Sequence, residues 1–181
     1  VVCDRKLHGC VDPGDDDDTL HLDRQLTATQ IEGSVDLSTA TQFEALLIGP
    51  DIQEDGHRWR VSTSGGAPAA FEDTVLQSGD LILEGNVRLE SPLTHNGGAP
   101  PPTVGEPAIR APVMVFELGP GGPTDPSNSH LDLTGVLTLV GRVDFEDPVD
   151  DTPGAASRVD FTGTIVDGTY TLITASGGIK S

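Results

Sequence analysis

The sequence predicts an all-β fold, with an antiparallel β-sandwich or jelly-roll favoured and an irregular parallel β-helix as the alternative. A five-residue pattern, apolar-x-Gly-x-apolar, recurs at 31–35, 83–87, 133–137, 139–143 and 161–165. Apolar and polar residues alternate around it with a period of two, as in a half-buried strand. Glycine (22 residues) and proline (14 residues) are abundant, which suits many short strands separated by turns.

Two observations favour the sandwich over the β-helix. The pattern glycines follow one another at irregular intervals, whereas the rungs of a solenoid repeat at about 20–25 residues. In addition, Asp167-Gly168 joins two alternating segments, 159–165 and 169–174, and such a junction is typical of an antiparallel hairpin.

Along the chain, residues 1–24 are interpreted as an irregular N-terminal extension and residues 25–181 as a single β-rich domain. The stretch from Ser38 to Ile48 has helical character, because Ser38 can cap a first turn and Gly49-Pro50 ends it. A strand ending at Ile48 is the alternative. Loops rich in Gly and Pro separate the further expected strands, which cover 57–61, 71–91, 113–118, 131–146, 159–165 and 169–174.

The net charge of −19 limits the partners. Nucleic acid and anionic membrane surfaces would be repelled, since binding them requires local positive charge. No apolar run approaches the ~18 residues of a membrane span. The chain does not begin with Met, so Val1 is interpreted as a processed or trimmed start, and the chain as a possible segment of a longer precursor.

Cys3 and Cys10 are the only two cysteines. In an oxidising compartment a bridge between them would close a small loop and stabilise the fold by about 2.5 kcal/mol on the chain-entropy model. Two free thiols, or a link to a neighbouring subunit, are the alternatives. We predict the disulfide.

An acidic run, Asp15, Asp16, Asp17 and Asp18, follows the cysteine loop. Adjacent carboxylates repel one another unless they are solvated or neutralised, so the run is either a solvated loop or a Ca²⁺ site. Its spacing lacks the alternation of an EF-hand. Ca²⁺ is the one candidate cofactor.

No catalytic motif is present. The five histidines (8, 21, 57, 95 and 130) are widely spaced, and there is no GxSxG elbow or phosphate-binding glycine loop. Trp59 is interpreted as the inward-facing residue of its strand, with Arg58 and Arg60 facing outward; stacking on a sugar is its alternative role. We predict that the protein is not an enzyme.

Four segments of the C-terminal third carry a resemblance: Val115-Phe-Glu-Leu-Gly119, His130-Leu-Asp-Leu-Thr-Gly135, Leu137-Thr-Leu-Val-Gly141, and Gly168-Thr-Tyr-Thr-Leu-Ile-Thr174 followed by Gly177-Gly-Ile179. This third resembles the strand-rich repeats of autotransporter passenger domains and related secreted bacterial surface proteins. The resemblance implies a secreted or surface-displayed protein, often a parallel β-helix. It carries over no catalytic residue.

These observations predict a non-enzymatic structural protein, extracellular or at the cell surface, that assembles with itself into a filament or surface layer. Exposed sheet edges are natural sites for strand exchange. The candidate assembly strand comprises Leu20, Leu22, Leu26, Ile31, Val35 and Leu37. Ca²⁺ bridging would offset the negative charge between subunits. A carbohydrate-binding or carbohydrate-cleaving surface module, with a glycan as partner, is the alternative.

Overall fold

The protein is described by a computed structural model over residues 2–4, 9–11, 19–22, 31–41, 43–49, 57–64, 67–96, 112–140, 143–144 and 157–181. Parallel sheets of four, six and six strands dominate these residues. In chain order the strands are β1 (Val2–Asp4), β2 (Gly9–Val11), β3 (Thr19–Leu22), β4 (Ile31–Asp36), β5 (Ala45–Ile48), β6 (His57–Ser62), β7 (Ala69–Ala70), β8 (Asp73–Leu76), β9 (Asp80–Leu83), β10 (Asn86–Glu90), β11 (Leu93–His95), β12 (Val113–Leu118), β13 (His130–Leu133), β14 (Leu137–Leu139), β15 (Val143–Asp144), β16 (Ser157–Gly163), β17 (Ile173–Ala175) and β18 (Ile179–Lys180).

The three parallel sheets follow one another repeatedly along the chain. Sheet I has the order β15-β16-β12-β9-β6-β4, sheet II the order β17-β13-β10-β7, and sheet III the order β18-β14-β11-β8-β5-β3. The chain passes from sheet I to sheet II to sheet III and then begins again, as in β9, β10 and β11. Each such pass is a rung, and the stack of rungs is a parallel β-helix.

The prediction of an antiparallel sandwich or jelly-roll is therefore wrong, and the β-helix alternative is compatible with the structure. In sheet I, Trp59 lies opposite Leu81, Leu81 opposite Met114, and Met114 opposite Val159. The intervals between these partners, 22, 33 and 45 residues, differ because additional chain lies between some strands. The register across the rungs is kept while the length of a rung varies.

The recurring glycines misled the prediction because they do not occupy equivalent positions. Gly33 lies within β4, whereas Gly85 lies in the turn between β9 and β10, and Gly135 in the turn between β13 and β14. Gly141 is outside the described residues. The spacing of these glycines is therefore not the spacing of the rungs.

Two local predictions are also corrected. Asp167-Gly168 does not close a hairpin: β16 pairs in parallel with β12, and β17 pairs in parallel with β13 in another sheet. The stretch predicted to be helical contains one 3₁₀ turn, Leu37–Thr39, followed by strand β5. That strand ends at Ile48, as in the alternative prediction, and Gly49 follows it with a φ of +66°, a conformation that favours glycine.

The core is built from columns of inward-facing side chains in register across the rungs. One column in sheet III contains Leu20, Leu46, Thr74, Leu93, Leu137 and Ile179. Its polar member, Thr74, is buried but shares a hydrogen bond of 2.9 Å with the Ser91 hydroxyl. Because apolar side chains stack on their equivalents above and below, each rung is buried by its two neighbours.

Trp59 is a core residue, as predicted, and is only 1 % exposed. It stacks under Gly33, where a Cβ would overlap the indole ring, so glycine is needed there for close approach. Arg58 lies on the outer surface and forms an ion pair with Asp80. This placement excludes Trp59 as a platform for sugars.

A hairpin lies beside the first strand of sheet III. Strands β1 and β2 form an antiparallel hairpin, and β2 contacts β3. Strand β3 belongs to sheet III, so the β-helix includes part of the region predicted as an extension. The described residues include no helix long and apolar enough to cross a membrane.

Candidate functional site at the C-terminal end

The predicted disulfide partners lie on neighbouring strands. Cys3 in β1 is directly opposite Cys10 in β2 in the antiparallel register. Directly opposite residues in such a pair have Cα atoms about 4.5–5.5 Å apart, within the usual range for a disulfide. The backbone register is thus compatible with the predicted bridge, which remains a prediction.

The predicted Ca²⁺ site, Asp15 to Asp18, lies outside the described residues. Among the residues that are described, no group of three or more His, Cys, Asp or Glu side chains comes together to hold a metal ion. Ca²⁺ binding by the acidic run therefore remains a prediction.

The residues of the predicted assembly strand belong to different elements of the chain's own β-helix. Leu20 and Leu22 lie in β3 and are fully buried, and Val35 in β4 and Leu37 in the 3₁₀ turn are also buried. Ile31 is the first residue of β4, and Leu26 is outside the described residues. These strands pair with β5 and β6, so they are not an unoccupied donor segment.

The histidines with described side chains are not brought together. His95 is fully buried in the sheet III column between Leu76 and Leu139. His130 lies in sheet II, where its Nδ1 is 3.2 Å from Asn86 Oδ1. This separation gives the described residues no histidine-based catalytic arrangement.

Among the described residues, the carboxylates of Asp36 and Asp125 have pKa values below their usual range, and both stabilise turns. Hydrogen bonds from the Ser38 and Ser64 hydroxyls lower the pKa of Asp36 to about 2. Ser38 follows β4 and Ser64 follows β6, so Asp36 ties successive rungs together. The Ser127 hydroxyl, 2.7 Å away, lowers the pKa of Asp125 within a single loop.

The C-terminal end of the β-helix presents apolar side chains to solvent. Ile179, the last member of the column that begins at Leu20, is 59 % exposed, and Ile165 in the loop after β16 is 69 % exposed. Val166 is also exposed, while Phe161, Leu172 and Ile173 are only partly buried. We call residues 157–181 the end face.

The end face also has open strand edges. On one side, β17 pairs with β13 and β18 pairs with β14. On the other side, neither has a strand partner among the described residues. Strand β16 is covered there only at Ser157 and Arg158, by β15. Backbone N–H and C=O groups at such edges are available to another strand.

A pocket of about 230 Å³ opens at one corner of the end face. Its lining is mostly apolar and includes Leu118, Phe161, Ile165, Val166, Tyr170 and Leu172. The Tyr170 hydroxyl donates to the carbonyl of Val166 at 2.9 Å, which fixes the ring at the pocket wall. Gly168 packs against the Pro123 ring, so the loop after β16 rests on the preceding rung.

The end face differs in charge from the rest of the protein. Residues 157–181 contain two basic residues, Arg158 and Lys180, and two acidic residues, Asp160 and Asp167. Their formal net charge is therefore zero, and the whole charge of −19 is carried by residues 1–156. Depletion of charge around exposed apolar side chains is typical of the centre of a protein interface.

The sequence interpretation missed this site. It assigned assembly to the N-terminal alternating segment, although the neutral, threonine-rich composition of residues 157–181 was already visible in the sequence. What the sequence did not show was that Ile165, Val166 and Ile179 share one end of a solenoid. Comparison with known proteins adds nothing further: no family model, no curated protein and no solved structure matches this chain.

Proposed function

We propose that this chain is a non-enzymatic, secreted structural protein that assembles with copies of itself into an extracellular filament or surface layer. The observation that supports this most directly is the end face. There, the exposed side chains of Ile165 and Ile179 accompany strand edges that have no partner among the described residues. Backbone groups at such edges can pair with a strand of another copy.

Strand addition at the end face is a simpler route than exchange of the N-terminal strands. Exchange of β3 and β4 would first require separating Leu20, Leu22 and Val35 from their buried positions against β5 and β6. The edges of β17 and β18 need no such opening. We therefore assign assembly to the C-terminal end and not to the predicted donor strand.

Secretion is proposed from the sequence. The resemblance of the C-terminal third to autotransporter passenger repeats and the pair of cysteines in facing positions both favour an oxidising, extracellular environment. The acidic run at 15–18 remains a candidate Ca²⁺ site through which subunits reduce their mutual repulsion.

A carbohydrate-binding module is the second candidate, now supported by a different observation. Trp59 is buried, but the pocket beside Tyr170 offers an aromatic side chain in an accessible position. A pocket of about 230 Å³ has room for part of a small ligand such as a single sugar.

Electron microscopy of negatively stained protein, with and without EDTA, tests the first candidate. We expect ordered filaments or layers at micromolar concentration and, if Ca²⁺ bridges subunits, their loss in EDTA. Particles that remain monodisperse under all conditions would reject the proposal, and binding of such particles on a glycan array would favour the second candidate.

A further inference from the structure

We propose that Arg60 forms a latch on the outer face of sheet I. Its ion pair with Glu117 closes over a small apolar cluster and holds three successive strands, β6, β9 and β12, together. The latch is a conformational device within one chain and goes beyond the proposed assembly. Three observations support it: an ion pair that skips a strand, outward-facing apolar side chains that are buried, and a long connection before β12.

The ion pair between Arg60 and Glu117 spans two strand spacings. Arg60 lies in β6 and Glu117 in β12, and β9 lies between these strands in sheet I. The Arg60 Nη1 and Glu117 Oε1 atoms are 2.7 Å apart. The backbones of two strands separated by a third are about 10 Å apart. Both side chains must therefore extend towards each other across the outer surface of β9.

Two further ion pairs are arranged differently. Arg58 in β6 lies directly opposite Asp80 in β9, and Arg88 in β10 lies directly opposite Asp132 in β13. Each of these pairs joins neighbouring strands, so neither has to cross a strand to form. The pair made by Arg60 differs from both, because a whole strand lies beneath it.

The strand beneath the ion pair directs an apolar side chain outward. Ile82 in β9 lies directly opposite Arg60 on one side and Val115 in β12 on the other. Together with Val113, these two apolar residues form a cluster separate from the main core. Each of its three members is only 3 % exposed. The outer face of sheet I thus has a small apolar cluster of its own.

Burial is confined to the middle of this outward-facing column. At its two ends, Ser34 in β4 and Asp160 in β16 are exposed, whereas Ile82 and Val115 between them are buried. The buried part of the column is the part that the ion pair crosses. Arginine side chains can cover apolar surface with their methylene groups while the charged group stays at the surface. We assign this role to Arg60.

The connection before β12 explains why a latch stabilises this part of the chain. Residues 96–112 separate β11 from β12. The entropic cost of closing a connection rises with its length, so β12 returns to the sheet at a greater cost than a strand that follows a tight turn. An ion pair from β6 holds β12 from two strands away. The three strands should therefore open together and not one at a time.

The test measures the reactivity of a thiol placed in the covered cluster. Ile82→Cys is introduced together with Cys3→Ser and Cys10→Ser, so that it supplies the only thiol, and its alkylation rate reports access of solvent. We expect Arg60→Ala in this background to raise the rate at least tenfold. The matched control is Arg88→Ala, which removes the arginine of an ion pair that crosses no strand. It should change the rate less than twofold.

Reversal of the ion pair separates the latch from a general loss of packing. The double variant Arg60→Glu/Glu117→Arg keeps opposite charges on the same two strands and should bring the rate back to within threefold of that of the original pair. Glu117→Gln removes the charge with little change of shape and should raise the rate at least threefold. Far-ultraviolet circular dichroism checks the fold of each variant, and Glu117→Gln provides the test if Arg60→Ala does not fold.

Three results would overturn the inference. The first is an equal rate in the Arg60→Ala and Arg88→Ala variants. The second is a reversed pair that reacts as fast as Arg60→Ala, and the third is rapid alkylation of the Ile82→Cys thiol while Arg60 and Glu117 are both in place. Each result concerns the fold of a single chain, so the proposed assembly stands or falls separately.

Discussion

Side chains at equivalent positions are buried at one end of the β-helix and exposed at the other. Leu20 and Ile179 belong to the same column of sheet III, four residues of which lie between them in register. Leu20 is fully buried in the first strand of this sheet, whereas Ile179 in its last strand is 59 % exposed. The burial of a residue in this fold is therefore decided by its neighbouring rungs more than by its own apolar character.

The two ends differ in apolar exposure more than in strand pairing. At the N-terminal end, β2 lies near β3, while β3, β4 and β7 are the outermost strands of their sheets among the described residues. At the C-terminal end, β15 covers only the start of β16, and the edges of β17 and β18 stay open among the described residues. Exposed isoleucines, Ile165 and Ile179, are found only at the second of these ends in the part of the chain that the structure describes.

The largest expected effect comes from replacing by alanine the first and last residues of the shared column, Leu20 and Ile179. Leu20→Ala should lower the free energy of unfolding by about 2–5 kcal/mol, because it leaves a cavity in a buried position. Ile179→Ala in the monomer should change it by less than about 0.5 kcal/mol, as at other exposed sites. Urea unfolding below the concentration of any association measures both, and equal losses would show that the ends do not differ.

The predicted Cys3–Cys10 bridge gives the next effect. If it is formed, reduction should lower the free energy of unfolding by about 2.5 kcal/mol, because the open chain of residues 3–10 gains conformational entropy when unfolded. Urea unfolding with and without reductant measures the change. The Cys3→Ser/Cys10→Ser double variant is the control, and it should not respond to reductant.

Alkylation of the thiols tests directly whether the Cys3–Cys10 disulfide is present. Labelling of both thiols in the untreated, unfolded protein would mean that no disulfide is present. The N-terminal hairpin would then cover β3 through its backbone pairing and packing alone.

The smallest effect concerns the two carboxylates in turns. Asp36→Ala should lower the free energy of unfolding by about 1 kcal/mol at pH 7, because Asp36 caps the 3₁₀ turn and also binds Ser64 of the next rung. Asp125→Ala should lower the free energy of unfolding by less, because Asp125 accepts its hydrogen bonds from residues of its own loop. Thermal unfolding of both variants tests the order.

The contribution of Asp36 has a definite pH dependence. Its pKa in the folded protein is lowered to about 2 from the ordinary value of 3.8. The ionised form is thus stabilised by folding, so the contribution is present above pH 4 and disappears as the pH falls from about 4 towards 2. Stability curves of the wild type and Asp36→Ala should converge over that interval; curves that stay parallel would contradict the assignment.

Much of the local structure was predictable from the sequence, and the topology was not. The alternation of apolar and polar residues correctly located β6, β12 and β16, and placed Trp59 inside. Alternation reports which face of a strand is buried but not which strand lies beside it. The pairing of β16 with β12 spans 45 residues, and no local signal encodes a separation of that size.

The candidate site was missed for a related reason. Leu20 and Ile179 both lie in segments where apolar and polar residues alternate, yet one is buried and the other exposed. The local sequence does not show whether another rung packs against a given residue. The absence of net charge from residues 157–181 was the one available signal. That signal becomes informative only once the order of the rungs is known, because the order places residues 157–181 in the last described rung.

The position of β15 has a consequence for how the last rung forms. Strand β15 precedes β16 along the chain but lies beyond it in sheet I, on the side away from β12. As the polypeptide emerges from its N-terminus, strands β6, β9 and β12 of that sheet each find a neighbour already in place. Strand β15 can pair only after β16, which follows it along the chain, has been synthesised. Within sheet I, its pairing is therefore a late step of folding.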